Sequence, residues 1–238
     1  MKFQLKDVGL KLGTSQIFQN INVTFEGPGT IALLGPSGCG KSTLIRVLSG
    51  LQPVSTGSVS APQGRQAFVF QESHLLNWRR AVENVHLPLE LGSNPRSDLE
   101  HALRALEDVG LKSAAALYPA ELSGGMKMRV SLARAFVTKP NVLFCDEPFS
   151  ALDETTRENL QIQLRSLVER ERLTCFFVSH SLSEALAVAD VIYHFQGRGE
   201  ISPIPFKVQR QPLPAFRESE SFHGQLKSLK GLIHRERP

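Results

Sequence analysis

The sequence predicts an α/β protein with a core built on a largely parallel sheet. Short apolar runs near residues 31, 66, 142 and 174 read as strands. Between them lie stretches with helical patterning, such as "ETTRENLQIQLRSLVERE", so strand and helix alternate as they do in parallel-sheet architectures. The chain has 238 residues and is 41% hydrophobic, enough for one large globular domain or for a core with an inserted subdomain.

The same bulk properties exclude several function classes. No uncharged apolar run approaches the ~20 residues that span a bilayer, and the opening "MKFQLKDVGL" has no apolar secretory core. The expectation is a chain made and kept in the cytosol. The formal net charge of +4 is small for this length and reads as ordinary surface charge, so nucleic acid is not an expected partner. Cys39, Cys145 and Cys175 are odd in number and show no C-x-x-C spacing, which argues for reduced thiols over a disulfide framework or a zinc site.

The first strand and the helix after it bracket a phosphate loop. "IALLGPSGCGKST" begins with the apolar run Ile31 to Leu34, breaks into glycines and resumes as the helical pattern "KSTLIRVLSGL". Gly35, Pro36, Ser37, Gly38, Cys39, Gly40, Lys41 and Ser42 fit G-x-x-x-x-G-K-[ST], with Thr43 following. Glycines at these places let successive N–H groups turn inward around phosphate oxygens, and the helix start adds partial positive charge. Lys41 is expected to reach the β and γ phosphates and the Ser42 hydroxyl to bind Mg²⁺. Cys39 sits at a variable loop position, and its thiol reads as incidental, with sensitivity of the loop to alkylation as the other reading.

"NVLFCDEPFSALD" carries the hydrolytic chemistry. After the strand Val142 to Cys145, Asp146 is suited to hold Mg²⁺, and Glu147 to polarise the attacking water. The strand in "TCFFVSH" leads to His180, a candidate contact to the γ phosphate and the water. In the helix between them Leu160, Leu164 and Leu167 recur at helical spacing and predict packing only.

A second glycine pair stands apart from these. In "ELSGGMKMRV" a serine and two glycines head a helix over 123–138, whose apolar face is expected to be Met126, Val130, Ala133 and Val137. The exposed N–H groups of that first turn form a second anion site. Because the nucleotide already has its own loop, the economical reading is that this site covers a phosphate bound to another copy of the chain.

"GPSGCGKST", Gln71 in "VFQES", "LSGGM", "LFCDEP", "SALD" and "VSH", in this order, resemble the ATP-binding subunit of an ABC transporter over residues 3 to 195. The resemblance implies a P-loop NTPase core of the RecA-like type, with N-terminal antiparallel β strands and an inserted α-helical subdomain near 72–130. It implies ATP and Mg²⁺, bound in a head-to-tail homodimer with each ATP between the phosphate loop of one subunit and Ser123, Gly124 and Gly125 of the other. Gln71 would join the Mg²⁺ and water network, and Asp153 would lie at the dimer interface. The partners implied are integral membrane permease subunits and, indirectly, a substrate-binding protein, with the chain peripheral on the cytoplasmic face of the inner membrane. "FVFQESHLLNWRRAVENV" and "DEPFSALDETTRENLQ" are similar to importers of nitrate, sulfonates and taurine. In that group the segment with Leu76 and Trp78 meets a coupling helix of the membrane subunit; a core aromatic is the other reading of Trp78. A soluble mechanical ATPase acting on nucleic acid or ribosomes, and an inactive regulatory homologue, are the rival classes. The second is disfavoured by the presence of Lys41, Asp146, Glu147 and His180.

Two departures from the family pattern stand out. Leu12 in "LKLGTSQIF" lies where an adenine-stacking aromatic is common, and Lys127 and Met128 replace a common "QQ". Loss of a stack costs about 0.5–1.5 kcal/mol, so Leu12→Tyr is expected to tighten ATP by up to about tenfold and sharpen its preference over GTP. Competition of ATP against GTP in the two proteins measures this, and equal selectivity refutes it. Lys127 reads as a solvated helix lysine, with extra positive charge near the nucleotide of the opposite subunit as the other reading. The expected domain runs over residues 1–205, and 206–238 form a C-terminal extension. Prolines 203, 205, 212 and 214 mark a connector. Phe222, Leu226, Leu229 and Ile233 then predict a short amphipathic helix that either docks on the core, the favoured reading, or touches a partner or anionic lipid.

Overall fold

A computed structural model describes residues 1–92, 99–195, 199–200, 204–209 and 215–235. In chain order the elements are β1 (Lys2–Leu12), β2 (Ser15–Glu26), β3 (Gly29–Leu34), α1 (Lys41–Leu48), β4 (Thr56–Ser60), β5 (Gln66–Phe70), α2 (Ala81–Glu90) and α3 (Leu99–Asp108). They continue with α4 (Gly124–Phe136), β6 (Val142–Asp146), α5 (Glu154–Glu171), β7 (Thr174–Val178), α6 (Leu182–Val188) and β8 (Val191–His194). β9 (Gly199–Glu200), β10 (Ile204–Lys207), α7 (Ala215–Glu218) and α8 (Glu220–Arg235) complete the order. The chain forms two compact units, residues 1–63 with 168–238, and residues 64–167.

The first unit holds an antiparallel sheet of order β4-β1-β2-β9 and the parallel strands β7, β3 and β8, with β10 antiparallel on β8. β3 and β7 are buried along nearly their whole length. Continuous apolar composition, without the alternation of a one-faced strand, is what a strand covered on both sides requires. Phe176 of β7 meets Phe3 and Phe25 edge-on at 5.0 and 5.3 Å, and Phe25 meets Tyr193 at 4.9 Å. Such edge-to-face contacts add about 0.5–1.5 kcal/mol each beyond area burial, and they fasten the antiparallel layer to the parallel strands.

The C-terminal segment belongs to this unit. α8 packs on α6, burying Phe222 and Leu229. Gln225 exchanges hydrogen bonds with the backbone of Gln209, at 2.8 and 3.0 Å. The helix therefore docks, as its apolar spacing predicts. The expected boundary between residues 205 and 206 falls inside β10, whose Pro205 is paired with Tyr193. Prolines 203, 212 and 214 lie outside the described residues.

In the second unit β5 and β6 pair in parallel, and α2, α3 and α4 pack on one another as a helical layer. Phe68 stacks on Phe144 at 4.9 Å across the strand pair. Leu160, Leu164 and Leu167 of α5 are buried, in agreement with their spacing. The expected apolar face of α4 is corrected in part. Val130 and Ala133 are buried, but so is Met128, while Met126 and Val137 are only half-buried. A helix packed by several neighbours buries more than one stripe, so a single-face reading underestimates it.

Candidate functional site

In the first unit the carboxyl ends of β3 and β7 position the residues expected to bind phosphate. Beyond Leu34 the chain turns through Gly35 to Gly40 and enters α1 at Lys41. Gly38 and Gly40 hold φ of 78° and 105°, left-handed values that a side chain disfavours. A Cβ built on Gly35 lies 2.6 Å from the Phe195 carbonyl oxygen, a backbone atom with little freedom to yield. Pro36, Ser37 and Gly38 are exposed, while Ser42 and Thr43 are half-buried in the first turn of α1. Lys41 is buried, and its Nζ donates to the carbonyls of Gly35 and Pro36 at 2.8 and 2.9 Å. The ammonium is thus held within the loop by the loop's own backbone.

Cys39 lies inside the loop. Its thiol is buried, 3.9 Å from the Lys41 ammonium, and closed off from the solvent that an alkylating reagent needs.

His180 follows β7 at the same end. The Ser179 N–H donates to the Leu33 carbonyl, tying this turn to the strand that feeds the phosphate loop. Ser179 Oγ donates to Glu184 at 2.6 Å, and Ser181 Oγ accepts from the Glu184 N–H as the cap of α6. These bonds fix the backbone while His180 stays exposed. The Ser179 and Glu184 pair is missing from the sequence reading, because a buried serine facing a glutamate five residues on has no signature pattern.

In the second unit the register pairs Phe70 with Asp146, so the next residues, Gln71 and Glu147, leave the strand pair at the same edge. Asp146 and Glu147 are half-buried and Gln71 is exposed. Glu147 has φ of 47°, uncommon for a residue with a side chain. The turn is held by Ser150, whose Oγ and N–H both donate to the Glu147 carbonyl. Strained backbone persists where its surroundings over-determine it, and such residues cluster at functional sites.

The second glycine pair lies in this unit too. Ser123 caps α4, its Oγ accepting from the Met126 N–H at 3.2 Å. A Cβ on Gly124 would meet nothing within 4 Å, whereas one on Gly125 would sit 2.5 Å from Thr156 Cγ2. Thr156 in turn donates its N–H to Asp153 at 3.0 Å, which holds the Asp153 carboxyl below the usual carboxylate range. Gly125 thus lies against Thr156, which is itself bonded to Asp153. A cleft of about 400 Å³ lies alongside, lined by Gln71, His74, Gly124, Lys127 and Leu152 among others. Lys127 is half-buried and lines this cleft.

Trp78 is 74% exposed, which removes the core reading. Leu12, 46% exposed, ends β1 at the tip of the β1–β2 hairpin, so no packing within the chain demands an aromatic there.

Among the described residues no helix is long and apolar enough to cross a membrane. The model of the ABC transporter family matches residues 18–150. Aliphatic sulfonates import ATP-binding protein SsuB 1 of Agrobacterium fabrum is 41% identical over 191 residues, which are 80% of this chain and 69% of that protein. The SsuB 2 protein of Frankia alni is 45% identical over 179 residues, 75% of this chain and 70% of its own. Among solved structures, the dimeric post-hydrolysis state of the ATP-binding cassette MJ0796 bound to ADP and Pi aligns with a TM-score of 0.76 at 28% identity, covering 88% of this chain and 100% of that one. Together with a phosphate loop after β3, a glycine-headed α4 and adjacent carboxylates at the end of β6, these matches show that this chain belongs to the ABC transporter family as an ATP-binding, ATP-hydrolysing subunit.

Proposed function

We propose that the chain powers import of aliphatic sulfonates or closely related small organic anions through a separate membrane permease, and that it works as a head-to-tail homodimer. The observation that carries the dimer is Gly124. It is exposed at the start of α4, and nothing within its own chain approaches the place of its missing Cβ. A bare helix start with free N–H groups binds an anion, and a phosphate of ATP held by a second copy supplies one. Each ATP then lies between the phosphate loop of one subunit and Ser123, Gly124 and Gly125 of its partner, with Asp153 at the same interface.

The chemistry assigns roles to the remaining residues. Gly35, Pro36, Ser37, Gly38, Cys39, Gly40 and Thr43 supply the loop backbone and the helix start, and Lys41 neutralises the β and γ phosphates. The Ser42 hydroxyl, the Asp146 carboxylate and the Gln71 amide are hard oxygen donors, a set that suits Mg²⁺. Mg²⁺, when bound, neutralises charge on the β and γ oxygens. Glu147 accepts a proton from water as the water oxygen bonds to the γ phosphorus and the bond to ADP breaks. His180 orients that water and the γ phosphate. Leu76 and Trp78 face the permease on the cytoplasmic side of the membrane, and a substrate-binding protein delivers the anion from the other side.

The glycines divide the assignment into testable parts. Gly124→Ala is expected to keep the parent melting temperature within about 1 °C, because surface changes away from special features are nearly neutral, while abolishing the ATP-dependent dimer. Gly125→Ala is expected to destabilise by about 1–3 kcal/mol through its clash with Thr156. Thermal melts and light scattering with and without ATP separate the two outcomes, and an intact ATP dimer in Gly124→Ala refutes the interface.

The transporter itself is tested by purifying tagged Glu147→Gln protein from detergent-solubilised native cells with ATP and Mg²⁺, followed by mass spectrometry. A multi-span membrane protein is expected in near-equal amount. The reconstituted complex is then expected to hydrolyse ATP faster with alkanesulfonate-loaded binding protein than with nitrate. Recovery of nucleic acid or ribosomal proteins without a membrane subunit would overturn the reading.

A further inference from the structure

The stretch between Gln71 and α2 is held by two side chains that none of the roles above uses. Arg134, in the last turn of α4, donates from Nη1 to the His74 carbonyl at 2.8 Å and from Nη2 to the Ser73 carbonyl at 2.7 Å. The guanidinium is half-buried, and desolvation pushes its pKa below the usual arginine value. A planar fork on two consecutive carbonyls fixes direction as well as distance, which a lysine ammonium cannot do. The turn it holds contains His74 at φ of 45°, a left-handed residue that needs such support.

The far end is fastened by Asn84, which is fully buried in α2. Its Oδ1 accepts from the Leu76 N–H at 2.7 Å. Its Nδ2 donates to the carbonyls of Leu76, Arg79 and Arg80 at 3.1, 2.9 and 3.1 Å. One side chain thus ties together the backbone of residues 76–80, beside the turn bond from the Arg79 N–H to the Leu76 carbonyl at 3.0 Å. Between the two fastenings the chain carries the exposed Trp78 outward.

From this geometry we propose that Arg134 and Asn84 are positioning residues that make residues 73–80 a rigid strut, through which movement of the glycine-headed helix α4 is passed to Trp78. α4 is the lever. Gly124 at its start and Arg134 near its end are ten residues apart, about 15 Å at the helical rise. When ATP draws the start of α4 toward a partner subunit, the Arg134 fork carries the carbonyls of residues 73 and 74 with it, and the Asn84 bonds keep Trp78 in register with them. The proposal rests on the ATP-dependent dimer described above. The two fail separately in the experiment below.

Trp78 is the sole tryptophan of the chain, so its fluorescence reports on the strut without a label. In full-length Glu147→Gln protein, ATP with Mg²⁺ is expected to change the time-resolved anisotropy of Trp78 as the dimer forms, with light scattering following the dimer independently. Adding Arg134→Met is expected to leave the affinity for a fluorescent ATP analogue within about twofold while removing at least four-fifths of the anisotropy change. Arg134→Lys, which reaches one carbonyl, is expected to restore part of it. If Arg134→Met does not fold, Arg134→Lys and the isosteric Asn84→Asp carry the test. The second places a carboxylate against three carbonyls and is expected to add a fast local component to the Trp78 decay. A full anisotropy change in the Arg134 variants, or a dimer that forms with no change at Trp78, overturns the strut while leaving the dimer standing. Absence of an ATP-dependent dimer overturns both.

Discussion

Glu147→Gln is expected to slow ATP hydrolysis by about 10²- to 10⁴-fold, the range contributed by a positioned general base, while leaving ATP bound. The amide matches the carboxylate in size but cannot take a proton from water. Backbone geometry should survive the change, because the φ of 47° at residue 147 is supported by two bonds from Ser150 to its carbonyl, which the substitution leaves in place. Binding and hydrolysis therefore separate in this variant. ATP and Mg²⁺ should accumulate a closed dimer that the parent reopens by hydrolysis. Phosphate release measures the rate, and light scattering measures the dimer. A rate within threefold of the parent would remove Glu147 from the role of base.

Lys41→Ala is expected to weaken ATP binding by about 10- to 150-fold. The ammonium forms charge-assisted hydrogen bonds, worth about 1.5–3 kcal/mol each, and 1.4 kcal/mol is a factor of ten. Without ATP those bonds go to the Gly35 and Pro36 carbonyls. Binding exchanges them for stronger contacts to phosphate, so the loss falls on the bound state. The fold is expected to be less affected, because the crown of the loop at Pro36, Ser37 and Gly38 is exposed and water can reach the carbonyls that the lysine leaves. Titration calorimetry of Glu147→Gln against the double variant reads the affinity without turnover. An unchanged Kd would show that Lys41 serves the loop backbone alone.

These two residues were legible in the sequence because their chemistry is local. A strand that ends in glycines and restarts as a helix leaves few conformations, and Gly38 and Gly40 take the left-handed values the motif needs. Asp146 and Glu147 were legible for the same reason, standing at the end of a short, fully apolar run. Other features were not. Trp78 reads equally as a core aromatic or a surface contact, and only its 74% exposure decides between them. Cys39 reads as incidental, with alkylation as the alternative, and only the fold shows that its thiol is buried. Met128 looked like a departure from a polar pattern and proved to be part of the packing of α4.

The sequence by itself determined the strands, the phosphate loop, the paired carboxylates and the amphipathic C-terminal helix. Each of these follows from backbone sterics and hydrophobic period within a window of a few residues. Tertiary structure alone decided that α8 docks on α6, that Gly125 is shut in by Thr156 while Gly124 stands open, and that Arg134 grips carbonyls 60 and 61 residues away. Contacts of that kind depend on which surfaces the chain brings together once apolar area is buried, and a hydrogen bond to a backbone carbonyl leaves no mark on the identity of the residue that accepts it.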